Sequence, residues 1–112
     1  MLSETDEFIH YDIFSNATGT ATREAGFALR NDIINILKRQ DRVMLLDFTK
    51  VQTVASSFID ELVAKLFIEL GFMTFNSRIR IIGMNQTIRF LCERSLYMRV
   101  YSEWQSKVEM AD

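Results

Sequence analysis

The 112-residue sequence has no proline, only four glycines, and a single cysteine and a single histidine. One cysteine cannot form an internal disulfide, and with one histidine beside it there are too few ligands for a structural zinc site. The glycines are too scattered to form a phosphate-binding loop, and a lone histidine leaves no credible Ser-His-Asp triad. We therefore expect a non-enzymatic protein without a metal or a cofactor, in a reducing compartment.

The sequence also lacks an excess of either charge and any long hydrophobic run. Its 13 Lys and Arg residues against 15 Asp and Glu residues leave a net charge of −2, which disfavours nucleic acid as a partner. No stretch approaches the roughly 18 apolar residues of a membrane span, and the first seven residues carry three acids in place of a secretory signal. Length and composition are typical of one soluble, cytoplasmic domain spanning residues 1–112.

Hydrophobic periodicity predicts alternating strands and helices. The predicted strands are residues 7–14, 42–48 and 78–82, and the predicted helices are residues 20–40, 56–70 and 85–93. Ser102 resembles the first residue of a capping box, which predicts a short terminal helix. Trp104 on that helix is expected to cover the core or, alternatively, to lie in an interface. Arg30 is expected on the polar face of the first helix. The β-α-β-α-β-α order predicts a small α/β domain with a mixed or mostly parallel sheet.

The most informative segment is the start of the second predicted helix. Ser57 has the side chain of an N-cap residue, and Asp60 and Glu61 place negative charge at the positive end of the helix dipole. These are ordinary preferences of helix starts, so a purely structural role would explain all three residues. Because adjacent carboxylates diverge by about 100° on a helix, Asp60 and Glu61 are not expected to form a catalytic pair.

The run from Val43 to Ser57 resembles the central segment of STAS domains, which include the anti-sigma factor antagonists. In both, an apolar strand ends in an acid, and a short turn leads to serines that open a helix. The closer similarity is to a bacterial STAS-like family of unassigned function. It rests on Asp47-Phe48, on the run from Ser56 to Leu62 (Ser-Ser-Phe-Ile-Asp-Glu-Leu), and on the segment from Arg78 to Asn85. The resemblance covers residues 8–100 and implies the STAS-like fold.

The resemblance also implies a function. Anti-sigma factor antagonists bind a histidine-kinase-like ATPase that phosphorylates a serine or threonine at this helix start, and phosphorylation releases the complex. Ser57 aligns with the phosphorylated position, and Ser56 precedes it. In this chain Ala55 replaces the acid and Phe58 the glycine that flank the serines in the family pattern. The residues that the resemblance suggests for partner binding are Phe58, Asp60, Glu61, Thr53 and Asp47.

Two other functions fit the same sequence. The second predicted helix has a wide apolar arc, which indicates either deep burial or a homodimer through this helix; its residues are Phe58, Ile59, Leu62, Val63, Leu66, Phe67 and Leu70. Alternatively, a small ligand could bind at the carboxyl ends of the strands near Asp47 and Ser57. The C-terminal third carries five arginines that indicate a solvated basic face or a site for an anion or acidic partner: Arg78, Arg80, Arg89, Arg94 and Arg99.

Overall fold

The computed structural model describes residues 7–110, which form a three-stranded sheet surrounded by helices. In chain order the elements are β1 (Phe8–Asp12), α1 (Ile13–Asn16), α2 (Arg23–Arg39), β2 (Val43–Asp47), α3 (Ser56–Ile59), a π-helical segment (Asp60–Ala64), α4 (Lys65–Leu70), α5 (Phe72–Arg78), β3 (Ile79–Ile82) and α6 (Gln86–Met110). Helix α3, the π-helical segment and α4 follow one another without a break, and together they form the central helix, residues 56–70.

The sheet is parallel throughout the described residues, with β2 between β1 and β3. Asp47 at the end of β2 is in register with Asp12 on one side and Ile82 on the other, so the carboxyl ends of the strands share one edge. Met44 and Leu46 on β2 have no exposed surface. The predicted α/β architecture is confirmed, and the apolar run that predicted a central strand forms it.

The central helix lies in the hydrophobic core. Five of its large apolar side chains have no exposed surface: Phe58, Ile59, Leu62, Val63 and Leu66. Helix α2 packs closely against it at Gly26, where an added Cβ atom would lie only 2.7 Å from the carbonyl oxygen of Phe58. Full burial of one large apolar side chain contributes about 1.5–3 kcal/mol to stability. Deep burial is therefore the correct interpretation for most of the apolar arc, whereas Phe67 and Leu70 near its end are half-buried.

Two short helices were not predicted. Strand β1 ends at Asp12 because the Asp12 carboxylate accepts a hydrogen bond from the Phe14 N–H, 3.1 Å away, and so caps α1. Helix α5 follows Gly71, whose φ of +83° redirects the chain directly after α4. Phe75 on α5 is buried, so α5 contributes to the core before the chain enters β3.

The C-terminal part of the described chain is one long helix, not the two that were predicted. Asn85 caps α6 as expected, its Oδ1 accepting a hydrogen bond from the Ile88 N–H at 2.8 Å. No glycine or proline follows within the predicted gap, so nothing ends the helix before Ser102, which lies in its interior and forms no capping box. Trp104 is 60% exposed and does not cover the core. No helix within residues 7–110 is both long enough and apolar enough to cross a membrane.

Candidate functional site

The two serines at the start of the central helix have different surroundings. Ala55, not Ser57, occupies the N-cap position, and no side chain caps the helix there. The Ala55 N–H donates to the Thr20 carbonyl at 2.8 Å, which fixes the chain just before the helix. Ser56 is the first helical residue and is exposed, whereas Ser57 is half-buried within the first turn. The predicted N-cap role of Ser57 is therefore wrong, and Ser56 is the more accessible hydroxyl.

Asp60 and Glu61 begin the π-helical segment of the central helix. The Lys65 N–H donates to the Asp60 carbonyl, five residues earlier, instead of to the Glu61 carbonyl four residues earlier. Arg30 Nη1 on α2 donates to the Glu61 carbonyl at 2.6 Å. Single π-helical turns within α-helices occur frequently at functional sites, and this one lies one turn after the two serines.

The Glu61 carboxylate is buried among three cations. Its oxygens lie 2.9 Å from Lys65 Nζ, 3.0 Å from Arg23 Nη1 and 3.3 Å from Arg30 Nη1. Burial alone would raise the pKa of Glu61, but hydrogen bonds from Lys65 and Arg23 outweigh it and hold that pKa below its usual value. Arg30 is itself buried, contrary to its predicted place on the polar face of α2. This cluster therefore ties α2 to the central helix from inside.

The Asp60 carboxylate connects three elements. Arg99 on α6 donates to both of its oxygens, from Nε at 3.0 Å and from Nη2 at 2.6 Å, and Arg23 Nη1 on α2 donates at 2.9 Å. The same Arg23 nitrogen also reaches Glu61, so the two adjacent acids share a cation although they were expected to diverge. The Arg99 hydrogen bonds are the main reason that the pKa of Asp60 lies below its usual value. Asp60 therefore remains ionised and holds α6 beside the start of the central helix.

A cleft of about 350 Å³ separates the start of the central helix from α6. Its walls are formed by Ser56, Asp60, Leu91, Arg94, Ser95, Met98, Arg99 and Ser102. Arg99 is paired with Asp60, whereas Arg94 is exposed and makes no ion pair within residues 7–110. The cleft therefore combines an exposed hydroxyl, a free guanidinium and further serine hydroxyls, which together suit a phosphoryl group or another anion.

The five C-terminal arginines do not form one solvated face. Arg78 donates to the main-chain carbonyls of Leu37, Gln40 and Arg42 and so caps the end of α2. Arg80 likewise donates to main-chain carbonyls, those of Asn76 and Ile79. Arg89 forms an exposed ion pair with Glu93, and of the five arginines only Arg94 and Arg99 line the cleft beside Ser56.

The strand edge holds a second polar cluster, centred on Asp47. Its Oδ1 accepts hydrogen bonds from the Thr49 N–H at 2.8 Å and the Thr49 hydroxyl at 2.5 Å, and its Oδ2 lies 2.7 Å from His10 Nε2. These bonds, those from Thr49 first, lower the pKa of Asp47 to about 2. Within residues 7–110 no group of three or more His, Cys, Asp and Glu side chains is placed to hold a metal ion. Both oxygens of the Asp47 carboxylate therefore bind to side-chain or main-chain groups of the same domain.

The residues predicted to bind a partner do not come together on one surface. Asp60 lines the cleft with Ser56, and Thr53 lies in a different hollow, of about 630 Å³, beside Lys50 and Gln52. Phe58 has no exposed surface and Glu61 is 5% exposed, so the structure places neither where a partner could touch it, contrary to the prediction.

The sequence did not predict the ion pairs of Arg23 and Arg30 or the unpaired guanidinium of Arg94. The partners of Arg23 and Arg30 lie more than 30 residues away along the chain, and Arg94 has no ion-pair partner within residues 7–110, so no local pattern reveals these properties. One signal was present for Arg30: it follows Leu29 and precedes Ile33, next to the apolar face of α2. A charged residue so close to an apolar face is a candidate for a buried ion pair.

The sequence was compared with models of known protein families. A family model described as a STAS-like domain of unknown function (DUF4325) matches residues 25–89, a segment that includes β2, the central helix, β3 and the start of α6. Comparisons with curated proteins and with solved structures gave no match. Since the family model covers more than half of the sequence, this chain belongs to the STAS-like domains of unknown function.

Proposed function

We propose that this chain is a non-enzymatic regulatory module of the cytoplasm that binds a histidine-kinase-like ATPase and is released by phosphorylation of Ser56. Membership of a STAS-like family supports the type of function, because the chain resembles anti-sigma factor antagonists at the same helix start. The observation that carries the proposal is the position of Ser56, exposed at the first turn of the central helix and in one cleft with the unpaired Arg94. The resemblance alone favours Ser57, but Ser57 is half-buried.

The charges around Ser56 favour a phosphoryl group. Arg94 and Arg99 line the cleft with Asp60, and Arg23 donates to both Asp60 and Glu61. Because Lys65 and Arg30 also compensate the charge of Glu61, the cations outnumber these two acids before modification. A phosphoryl group adds about −1.5 to −2 charges and three acceptor oxygens. Arg94 supplies planar donors that match such a group, and the first N–H groups of the helix also favour negative charge. Asp60 repels the phosphate, but two guanidinium groups already compensate its charge.

The same geometry explains how modification would release a partner without unfolding the domain. Ser56 lies at the surface, so its phosphorylation displaces no core side chain. A partner that covers the unmodified cleft would instead have to bury the added charge, and burying an imperfectly paired charge is strongly unfavourable. The domain therefore keeps its fold while its affinity for the partner falls.

The test begins with the intact mass of the chain purified from the cells that naturally produce it. We expect a fraction that carries one phosphoryl group, and fragmentation across residues 54–65 should assign it to Ser56. In the same cells Ser56→Ala should lack the modification, whereas the matched control Ser57→Ala should retain it. A phosphoryl group on Ser57 would refute the role of the cleft, and an unmodified chain in growing and starved cells alike would refute the switch.

A second measurement tests the partner. Each purified histidine-kinase-like ATPase of the same organism is titrated with the wild-type chain, Ser56→Ala and Ser56→Asp in a calorimeter. We expect one ATPase to bind wild type and Ser56→Ala with similar affinity, and Ser56→Asp at least about tenfold more weakly. The absence of binding to any of these ATPases would refute the proposed partner.

A further inference from the structure

The second half of α6 presents an apolar stripe that nothing within the described residues covers. The stripe consists of Tyr97, Val100, Tyr101, Trp104 and Val108, and each of these side chains is at least 44% exposed. Tyr97, Tyr101, Trp104 and Val108 follow one another at spacings of four, three and four residues, the spacing of a coiled-coil seam. Residues 101–108 are all exposed, so this half of α6 extends beyond the body of the domain.

An apolar cleft of about 420 Å³ lies beside the stripe, where α6 passes α4. Its walls are Phe67 and Leu96 together with four residues of the stripe, Tyr97, Val100, Tyr101 and Trp104. No charged residue lines this cleft, in contrast with the cleft at Ser56. The helix therefore carries a hollow near its middle and an apolar ridge, Trp104 and Val108, which begins at the last wall of the hollow and extends one turn beyond it.

We propose that a second copy of this chain covers the α6 stripe, with the two α6 helices antiparallel. In this arrangement the ridge of each copy enters the cleft of the other, so both features are used twice about one two-fold axis that passes between Tyr101 and Trp104. A parallel pair would instead place cleft against cleft and leave both hollows open. The surface is complementary to itself only in the antiparallel orientation, and this self-complementarity indicates a second copy as the occupant.

The area is sufficient for a dimer. An aromatic side chain buries about 150–250 Å², and with the observed exposures the five stripe residues present roughly 500 Å² per copy. Two copies would then bury about 1,000 Å² of apolar surface, and the flanking polar side chains would add to it, which meets the lower limit for a specific interface. An apolar patch of this size is comparable with the largest patch on a typical monomer, and such patches are often functional.

The helix itself provides a further reason for a partner. Residues 101–108 form about two turns of helix that are exposed throughout, and most helical stability in proteins comes from packing of an apolar face. Stacking between Tyr97 and Tyr101, whose ring centroids lie 6.2 Å apart, and the approach of Tyr101 to Trp104 at 6.3 Å are local contacts within the same helix. Pairing with a second α6 would supply the missing packing.

Trp104 makes the proposal simple to test because it is the single tryptophan of the chain. Sedimentation velocity and tryptophan emission are recorded over a range of concentrations up to about 1 mM. We expect the mass to rise from monomer to dimer, and the emission of Trp104 to shift to shorter wavelength over the same range. Tyr101→Glu should weaken dimerisation at least about 100-fold, since the two-fold axis places the change twice in the interface. Met73→Glu is the matched control, because Met73 is 80% exposed on α5, outside the stripe, and it should leave dimerisation unchanged.

The orientation has its own test. Tyr97→Lys and Val108→Glu should each weaken self-association, but an equimolar mixture should form a heterodimer, because the antiparallel arrangement brings position 97 close to position 108 of the other copy. A wild-type chain that stays monomeric up to about 1 mM would refute the second copy as occupant. A dimer that Tyr101→Glu leaves intact would refute the stripe as the interface, and a mixture without rescue would refute the antiparallel orientation. None of these outcomes depends on phosphorylation of Ser56.

Discussion

The cluster around Glu61 yields a quantitative prediction for stability. Glu61→Gln keeps the shape of the side chain but removes its charge, while Arg30 remains buried on α2. Arg30 would keep its hydrogen bond to the Glu61 main-chain carbonyl. It would also keep a distant ion pair with the Glu69 carboxylate, whose nearest oxygen lies 3.5 Å from Nε. Arg30 Nε already lacks a hydrogen-bond partner within the described residues. The variant therefore contains a buried cation with weaker compensation than in the wild type.

Breaking a buried ion pair by removing one partner usually costs about 3–5 kcal/mol. We expect a smaller loss, about 2–3 kcal/mol, because Arg30 keeps a main-chain acceptor and Lys65 can turn toward solvent. For a domain of this size, with a slope near 1–1.5 kcal/mol per molar urea, the unfolding midpoint should fall by about 2 M. The loss should not alter the slope, since the fold and its buried surface stay the same.

Urea unfolding followed by far-UV circular dichroism measures this change. The matched control is Glu93→Gln, which removes a carboxylate from an exposed pair with Arg89 on α6 and should change stability by less than about 0.5 kcal/mol. Adding Arg30→Met to Glu61→Gln should recover part of the loss, because no uncompensated cation then remains in the core. A loss below about 0.5 kcal/mol in the single variant, or a double variant no more stable than Glu61→Gln alone, would refute the argument.

Three further predictions concern other parts of the fold. Gly83→Ala should destabilise the protein by about 2–3 kcal/mol, because φ at Gly83 is +79° and an added Cβ would lie 2.6 Å from the main-chain nitrogen of Thr49. Gly71→Ala, at φ +83° with open space around it, should cost only about 1–2 kcal/mol in the same urea assay. The pKa of Asp47 is about 2 in the folded state, which is lower than in the unfolded chain. The contribution of Asp47 to stability is therefore present above about pH 4 and is lost as the pH falls toward 2. Asp47→Asn should make stability depend less steeply on pH in this range, and an unchanged pH dependence would contradict this. Burial raises the pKa of the Cys92 thiol to about 11. Iodoacetamide should therefore leave the native protein unmodified at pH 8 and label it fully in urea. Rapid labelling without urea would show that Cys92 is not enclosed by the core.

The predictable part of the site was its location in the chain. The apolar run that ends in Asp47, followed by a polar turn and two serines, indicated a central strand and a helix start, and both are present. Which serine is accessible was not predictable, because Ala55 rather than Ser57 takes the N-cap position and shifts both serines into the first turn. The apolar spacing of the central helix indicated that it is a helix, but gave no sign of the π-helical segment at Asp60.

The sequence by itself determined the α/β class, the position of β2 at the centre and the burial of the central helix, because these follow from periodicities that each segment carries locally. Only the tertiary structure decided which charges meet. Asp60 and Arg99 are 39 residues apart, and their contact depends on how α6 crosses the central helix. The buried position of Arg30 and the exposure of Trp104 likewise depend on where one helix passes another and where α6 leaves the body. Charge pairing and exposure are properties of three-dimensional neighbours, and neighbours distant in sequence are set by packing and not by local pattern.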